Sequence, residues 1–417
     1  MRKHLGLGAL AVTSAMLLVG CSSGGGGGTS APEASEGGGT GGSGAEIVVW
    51  TDAEREQAIA DAAVAFEEET GATVTLVAKN FEDLRNDFLA QVPTGEGPDI
   101  TVGAHDWLGA LVTAGVVNTV DLGEKAANFE QVAIDAMTYE GQLYALPYSL
   151  EAMALIQNTA LVGEEAPATW DEMIQKGLAA GTERPVVLNT GSEVGDAYTM
   201  YGLQTSFGAP VFVQDESGSY TSELGMGGPE GEAFAQWLHG NGTAGTGYIP
   251  TTVNYDINIE LFTSGQTPYT IQGPWAINAF ADAGVDVAVN PIPSAGGETA
   301  APFVGVQGFY LSSQSENALL ATDFLVNYLA TEDAQRALYE ADPRIPAYST
   351  LAEEVAEDPI IAGFLASAQN GVPMPSIPEM GSVWEFWNSA QSQILNGADP
   401  VSTWNKMVTD VEAEVGA

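Results

Sequence analysis

The strongest constraint on the fold lies between residues 47 and 102, where short apolar strands alternate with amphipathic helical patterns. Ile47-Val48-Val49-Trp50 reads as a strand. Ile59, Ala62, Ala63 and Phe66 recur at helical spacing, and Gly71 is the expected C-terminal stop. Val74 to Val77 is a second strand, and Phe81, Leu84, Phe88 and Leu89 mark a second helix. Gly97-Pro98-Asp99 turns the chain into the strand Ile100-Thr101-Val102. A βαβαβ order can bury its strands only as a parallel sheet with helices on its faces.

The pattern changes near residue 140. Tyr139-Glu140-Gly141-Gln142 reads as a hairpin turn into Leu143 to Leu146, with a further strand over Ala152 to Ile156. Thr169-Trp170-Asp171-Glu172 is a capping box that opens a helix to about Ala180. Val186 to Leu188, Val285 to Ile292 and Gly305 to Leu311 read as strands, and Pro229 and Pro274 suit first helical turns. From Ser315 onward the pattern is almost all helical, ending with Val383 to Leu395 and Val401 to Val415. The chain has 417 residues. At roughly 100–200 residues per domain, two α/β lobes with a helical C-terminal region are expected.

The start of the chain reads as an address. Arg2 and Lys3 precede an apolar run, Leu5 to Val19, that is too short to span a bilayer as a stable helix. Leu18-Val19-Gly20-Cys21 resembles the bacterial lipobox, which implies cleavage before Cys21 and lipidation of its thiol. Cys21 is the single cysteine, so no internal disulfide can form. Residues 1–20 are thus expected to be a lipoprotein signal peptide, and 21–45 the lipidated cysteine and a flexible Gly-rich tether. A Gly/Ser coil of that size reaches about 25 Å on average.

Charge narrows the partners. The chain has 55 acidic and 11 basic residues, a formal net charge of −44. A nucleic-acid binder needs a basic footprint, so that class is excluded, and anionic lipid or phosphate-rich ligands are disfavoured. A neutral ligand fits. Motifs for enzymatic chemistry are absent from the sequence: there is no phosphate loop, no G-x-S-x-G, no H-E-x-x-H and no C-x-x-C. Beyond the leader only His105 and His239 remain, which argues against a His-centred triad or a multi-His metal site. Acids are plentiful, so a two-acid glycosidase survives by inventory.

Tryptophans stand beside turns at strand ends: Trp50, Trp107 after His105-Asp106, and Trp275 after Gly273-Pro274. Ligands of open α/β sheets bind at the carboxyl ends of strands. Aromatic rings next to acids suit sugars, whose C–H faces stack on rings and whose hydroxyls bond to planar acid and amide groups. The plainer alternatives are a helix N-cap for Asp106 and simple packing for Trp107. Trp170 and Trp404 read as packing, and His105 as structural.

Several segments then carry a resemblance over nearly the whole body, from about Ile47 to the C-terminus. They are Ile47 to Trp50; Phe66-Glu-Glu-Glu-Thr-Gly71; Thr94-Gly-Glu-Gly-Pro-Asp-Ile100; Ala104-His105-Asp106; Leu146-Pro147 with Glu151-Ala152; Gln272-Gly-Pro-Trp-Ala276; Pro302-Phe-Val-Gly-Val306; and Met374-Pro-Ser-Ile-Pro378 with Trp384. In these the chain resembles the extracytoplasmic sugar-binding proteins of ABC importers, in particular the maltose/maltodextrin-binding proteins. The resemblance implies an α/β, two-lobed periplasmic-binding-protein-like fold of type II, with discontinuous lobes joined by a hinge around a ligand cleft. It implies lobes over 46–150 with 304–356 and over 151–303 with 357–417, so that the chain crosses the hinge near Leu150, Val304 and Glu357.

The same resemblance implies the site. Asp106, beside Ala104, and Glu151 would accept hydrogen bonds from sugar hydroxyls, and Trp275 and Trp384 would stack on sugar faces. The loop after Trp50 offers Asp52, Glu54 and Arg55, and the stretch Asn189 to Tyr201 offers Glu193, Asp196 and Tyr198. Two positions depart from the family pattern: its Trp before Ala-His-Asp is Gly103 here, and its Arg after is Trp107. Trp107 is therefore the candidate replacement platform. The implied function is maltose or maltodextrin binding for an ABC importer, with no cofactor and no catalytic step. Implied partners are a neutral oligosaccharide, the importer's membrane permease subunits with their separate ATPase, and membrane lipid through Cys21. A monomer on the extracytoplasmic face of the cell membrane is expected. Other sugars (trehalose, a cyclodextrin or another oligosaccharide) and, more remotely, a cell-surface glycoside hydrolase remain as alternative readings.

Overall fold

Two sheets organise the chain, and three passages of backbone run between them. The computed structural model describes residues 44–192, 194–215 and 220–416. The expected signal peptide, Cys21, almost all of the expected 21–45 tether and Glu193 lie outside the described residues.

The larger sheet starts from the βαβαβ unit. Strands Glu46–Thr51, Thr73–Ala78 and Ile100–Ala104 are parallel, with Glu46–Thr51 in the middle. The helix Glu56–Thr70 buries Ile59, Ala63 and Phe66, and ends at Gly71, whose φ of 70° is the left-handed stop that a glycine adopts without steric cost. Strand Phe303–Ser312 then joins antiparallel to Ile100–Ala104, and Ala145–Ala152 joins on its far side. Two-residue strands, Ile345–Pro346 and Val372–Pro373, complete the edge nearest the passages. The smaller sheet contains Val287–Asn290, Ala154–Asn158, Tyr269–Gln272 and Val187–Leu188, in that order.

The first passage is short. Strand Ala145–Ala152 of the larger sheet turns at Met153 and continues as Ala154–Asn158 of the smaller one. The second enters strand Phe303–Ser312 from Val287–Asn290. The third leaves the helix Ser349–Val355, whose successor Pro359–Asn370 packs on the smaller sheet so closely that a Cβ on Gly363 would lie 2.3 Å from the Val289 carbonyl. It returns through Val372–Pro373, pairs in parallel with Phe303 and Val304, and leads into the helix Met380–Leu395.

Local signals explain the boundaries. The hairpin at 138–143 turns on Glu140 and Gly141, both at positive φ. At the capping box the Thr169 hydroxyl accepts from the Glu172 amide at 3.2 Å, as expected. Its reciprocal bond is displaced by one residue, since the Glu172 carboxylate accepts from the Ala168 amide at 2.9 Å. Within the region expected to be helical beyond Ser315, the first helix is α-helical over Ala318–Asp323 and widens into a π segment over Phe324–Leu329. That widening lets Phe324 and Tyr328 both reach the Phe66 ring, each at 5.1 Å.

Candidate functional site

The site forms where strand ends of the larger sheet face the smaller one. Strand Glu46–Thr51 ends in the loop that carries Asp52 and Arg55. The Asp52 carboxylate accepts from the Arg55 amide at 3.2 Å and pairs with the Arg55 guanidinium. Arg55 is 1% exposed, an extreme for a guanidinium, and burial lowers its affinity for the proton. Aromatic faces flank it, Phe81 at 5.8 Å and Tyr148 at 5.2 Å from the guanidinium carbon.

From Arg55 a chain of buried ion pairs crosses the floor. Arg55 Nη2 lies 3.3 Å from Asp342 Oδ2, and Arg344 Nε donates to the same oxygen at 2.5 Å. Arg344 also pairs with Glu151, whose other oxygen accepts from Gln307 Nε2 at 3.0 Å. Burial disfavours the Arg344 cation, but Glu151 and Asp342 outweigh it and hold its pKa above the usual arginine range. The Tyr148 phenol is pushed up to about 12 by burial, against the opposing pull of Arg55 and Arg344. A chain of this kind sets the geometry of the floor more than it stabilises the fold, because desolvation consumes most of the Coulomb gain.

Aromatic rings come from the other side. Trp275 follows strand Tyr269–Gln272, and its indole folds back over Gly273, where a Cβ would sit 2.2 Å from the ring. Arg344 lies 5.3 Å from its centroid and Tyr198 6.4 Å. Tyr198 continues toward Phe303 at 6.2 Å, and Phe303 toward Trp384 at 6.1 Å. Trp384 then reaches back across: its helix, Met380–Leu395, packs against the turn His105–Trp107, and Trp384 favours the charged form of the Asp106 carboxylate. Asp106 is 8% exposed, and burial pushes it up to about 7, although Arg85 and Trp384 pull it down.

The site also collects polar atoms that are buried and have no hydrogen-bond partner. They are Arg55 Nε, Arg85 Nε, Gln272 Nε2, Asp106 Oδ1, Gln307 Oε1, and the hydroxyls of Tyr148, Ser149 and Tyr198. Such atoms cost stability unless something pairs with them. Donors and acceptors are mixed, which matches a ligand that both gives and takes hydrogen bonds.

Most of the expected residues converge here: Asp52, Arg55, Asp106, Glu151, Tyr198, Trp275 and Trp384 are linked by the contacts above. Ala104 lies at the edge, its carbonyl accepting from the Tyr310 hydroxyl at 2.9 Å. Glu54 is exposed at the rim, where its charge raises the Tyr255 phenol after the larger effect of burial. The Asp196 carboxylate is engaged as an N-cap, accepting from the Thr199 amide at 3.0 Å and from Asn189 Nδ2 at 2.7 Å. Glu193 lies outside the described residues. Trp107 is 7% exposed, 5.2 Å from Phe81, with its ring over Gly103. A Cβ on Gly103 would lie 2.5 Å from that ring, so an indole at 103 and one at 107 exclude each other.

Sequence reasoning missed Arg85, Tyr148, Gln272, Gln307, Asp342 and Arg344. One signal was available. Basic residues are scarce in this chain, and Arg344 stands between Pro343 and Pro346 beside Asp342, a rigid setting for a rare charge. Among the described residues no group of three or more His, Cys, Asp or Glu side chains is placed to hold a metal ion.

Comparison with known proteins agrees with this architecture. A solved structure of the Thermus thermophilus maltotriose binding protein bound with maltotriose matches with a TM-score of 0.80 at 30% identity, covering 89% of this chain and 100% of that one. The fold is thus the two-lobed α/β fold of type II periplasmic binding proteins, with lobes built from discontinuous segments. The family model for bacterial extracellular solute-binding proteins matches residues 61–363, and the chain belongs to that family. It is a binding protein without a catalytic step, related to the maltodextrin-binding proteins of ABC importers. The galactooligosaccharide-binding protein of Bacillus subtilis (strain 168) is 30% identical over 392 residues, 90% of each chain. The maltotriose-binding protein of Pyrococcus abyssi is 29% identical over 339 residues, 77% of this chain and 71% of its own length.

Proposed function

We propose that this protein is the sugar receptor of an ABC importer and binds a neutral maltodextrin-type oligosaccharide between its lobes. The observation that carries the reading is the mixed set of unpartnered buried donors and acceptors, lying beside indole and phenol rings. A sugar ring meets both demands at once. Asp106 and Glu151 act as hydroxyl acceptors, Arg55 and Gln272 as donors, and Trp275, Tyr198 and Trp384 as stacking surfaces. Glu54 borders the entrance; Asp52 holds Arg55 in the floor; Asp196 holds Tyr198 by capping its helix; Glu193, three residues earlier in the chain, is a further hydroxyl acceptor. Trp107 serves as the wall behind Phe81. The three carboxylates of the floor outnumber its two guanidinium groups, which disfavours an anionic cargo.

The lobes are 46–150 with 304–356 and 151–303 with 357–417, hinged near Leu150, Val304 and Glu357. Ligand contacts both lobes and so draws an open–closed equilibrium toward the closed form. That form docks, as a monomer, on the membrane permease subunits, which a separate ATPase drives. Cys21 carries the lipid that keeps the receptor on the extracytoplasmic face of the membrane. A second reading, a galactooligosaccharide cargo, is favoured by similarity to the Bacillus subtilis protein over 90% of both chains. A thermal-shift screen over maltose, maltotriose, longer maltodextrins, galactooligosaccharides, trehalose and cyclodextrins separates the two. The cognate sugar raises the midpoint in proportion to its affinity. No shift with any neutral sugar would remove the proposal.

A further inference from the structure

His105 stands one residue before Asp106 and takes no part in the ion pairs of the floor. Its ring is 2% exposed and makes two bonds to distant parts of the chain. Nδ1 accepts from the Val306 amide at 3.0 Å, and Nε2 meets the Met374 carbonyl at 2.8 Å. The first bond leaves no proton on Nδ1, so Nε2 carries it and donates to Met374. Burial lowers the imidazole to about 4, which keeps it neutral in this role.

The position of these bonds is informative. Strand Ile100–Ala104 pairs with Phe303–Ser312 as far as Ala104 and Gln307, where it ends. The returning segment pairs with the same strand at Phe303 and Val304, and the Met374 amide donates to the Val304 carbonyl at 3.1 Å. Val306 lies in the gap between these pairings, and the His105 ring fills it. The ring thereby joins the loop that carries Asp106 to two passages between the sheets. One of them leads within ten residues to Trp384, whose helix packs against the turn that carries Asp106.

We infer that His105 is a positioning residue of the binding site: its bond to Met374 sets the distance between Asp106 and Trp384, and with it the width of the sugar slot, while the Val306 amide fixes the tautomer that makes Nε2 the donor. The inference rests on the reading of Asp106 and Trp384 as sugar contacts. A neighbouring contact fits it, because a Cβ on Gly109 would lie 2.4 Å from the Ser376 carbonyl, so the helix that follows, Leu108–Thr113, is pressed against the same passage.

Three substitutions separate the two bonds. Asn at 105 keeps an acceptor for Val306; Gln keeps a donor that reaches Met374; Ala keeps neither. Two readouts are taken on each full-length variant after circular dichroism has checked folding. One is the Trp384 indole N–H resonance in the sugar-free protein, assigned with Trp384→Phe. The other is affinity for maltotriose and galactooligosaccharide by titration calorimetry. His105→Ala and His105→Asn should shift that resonance and weaken sugar binding about tenfold or more, the scale of one buried hydrogen bond. His105→Gln should stay within about threefold of the parent. A residue that only supports the core would lower the melting temperature in all three and leave both readouts unchanged, and that result overturns the inference. If instead the sugar assignment is wrong, the parent binds neither sugar while the indole pattern still separates Gln from Asn and Ala.

Discussion

Asp106 shows how a binding residue trades stability for affinity. Its ordinary value is 3.8 and burial raises it to about 7. The folded state therefore holds a proton that the unfolded state releases. The stability this contributes is complete below about pH 4 and is lost as pH rises through 7, at about 1.4 kcal/mol per pH unit. Asp106→Asn should remove that slope, so chemical denaturation at pH 5, 6 and 7 should give the variant a flatter profile and greater stability at pH 7. Sugar binding should run the other way: the parent should bind more tightly as the carboxylate ionises, and the variant should lose about 1–2 kcal/mol above pH 7. Trp107 makes the opposite case. With its ring buried over Gly103, Trp107→Ala should cost about 3–5 kcal/mol of stability. The ratio of affinities for disaccharide and longer maltodextrins should not move, and a changed ratio would restore it as a sugar platform. The acids and tryptophans at strand ends were legible in the sequence because strand ends are where such folds bind. Arg344 was not, since its partner Glu151 lies 193 residues away and no local pattern joins them.

At the scale of elements, periodicity was a good guide wherever an element had a face to bury. The βαβαβ unit and the C-terminal helices follow their apolar spacing closely. Elements of two residues have no spacing to read, and those at Ile345–Pro346 and Val372–Pro373 each contain a proline, which usually argues against a strand. Both are edge pairings beside the passages, where a missing amide is tolerated. The π segment over Phe324–Leu329 was equally hidden, because one extra residue in a turn leaves the apolar pattern nearly intact. Close packing of one element makes a sharp prediction. In the helix Leu108–Thr113, a Cβ on Gly109 would meet the Ser376 carbonyl at 2.4 Å and the Pro378 nitrogen at 2.8 Å. Both are backbone atoms and cannot rotate away. Gly109→Ala should therefore cost about 1–3 kcal/mol, seen as an earlier urea midpoint. An unchanged midpoint would mean that the third passage gives way easily.

For the whole molecule, the main features agree in direction. The body is strongly acidic and has few basic residues, its candidate site offers paired charges and unpartnered hydroxyl-sized groups, and the cargo it suits is neutral. The lipid anchor proposed at Cys21 is separate from all of this. Cys21→Ala should release the protein from membranes into the medium and leave sugar affinity as it was. Retention on membranes after a high-salt wash would count against the anchor. Two-lobed architecture was legible early, from chain length and the change of pattern near residue 140. The identity of the sugar was not, because it depends on ring positions set by contacts such as Trp107 on Gly103 and Arg344 over Trp275.

The most direct test of the central claim is titration calorimetry of the mature protein with maltotriose and with a galactooligosaccharide, repeated on Trp275→Ala. The parent should bind at least one of these sugars saturably, with no hydrolysis products, and the variant should lose about 2 kcal/mol or more while its fold is kept. Absence of binding to either sugar, or equal binding by parent and variant, would contradict that claim.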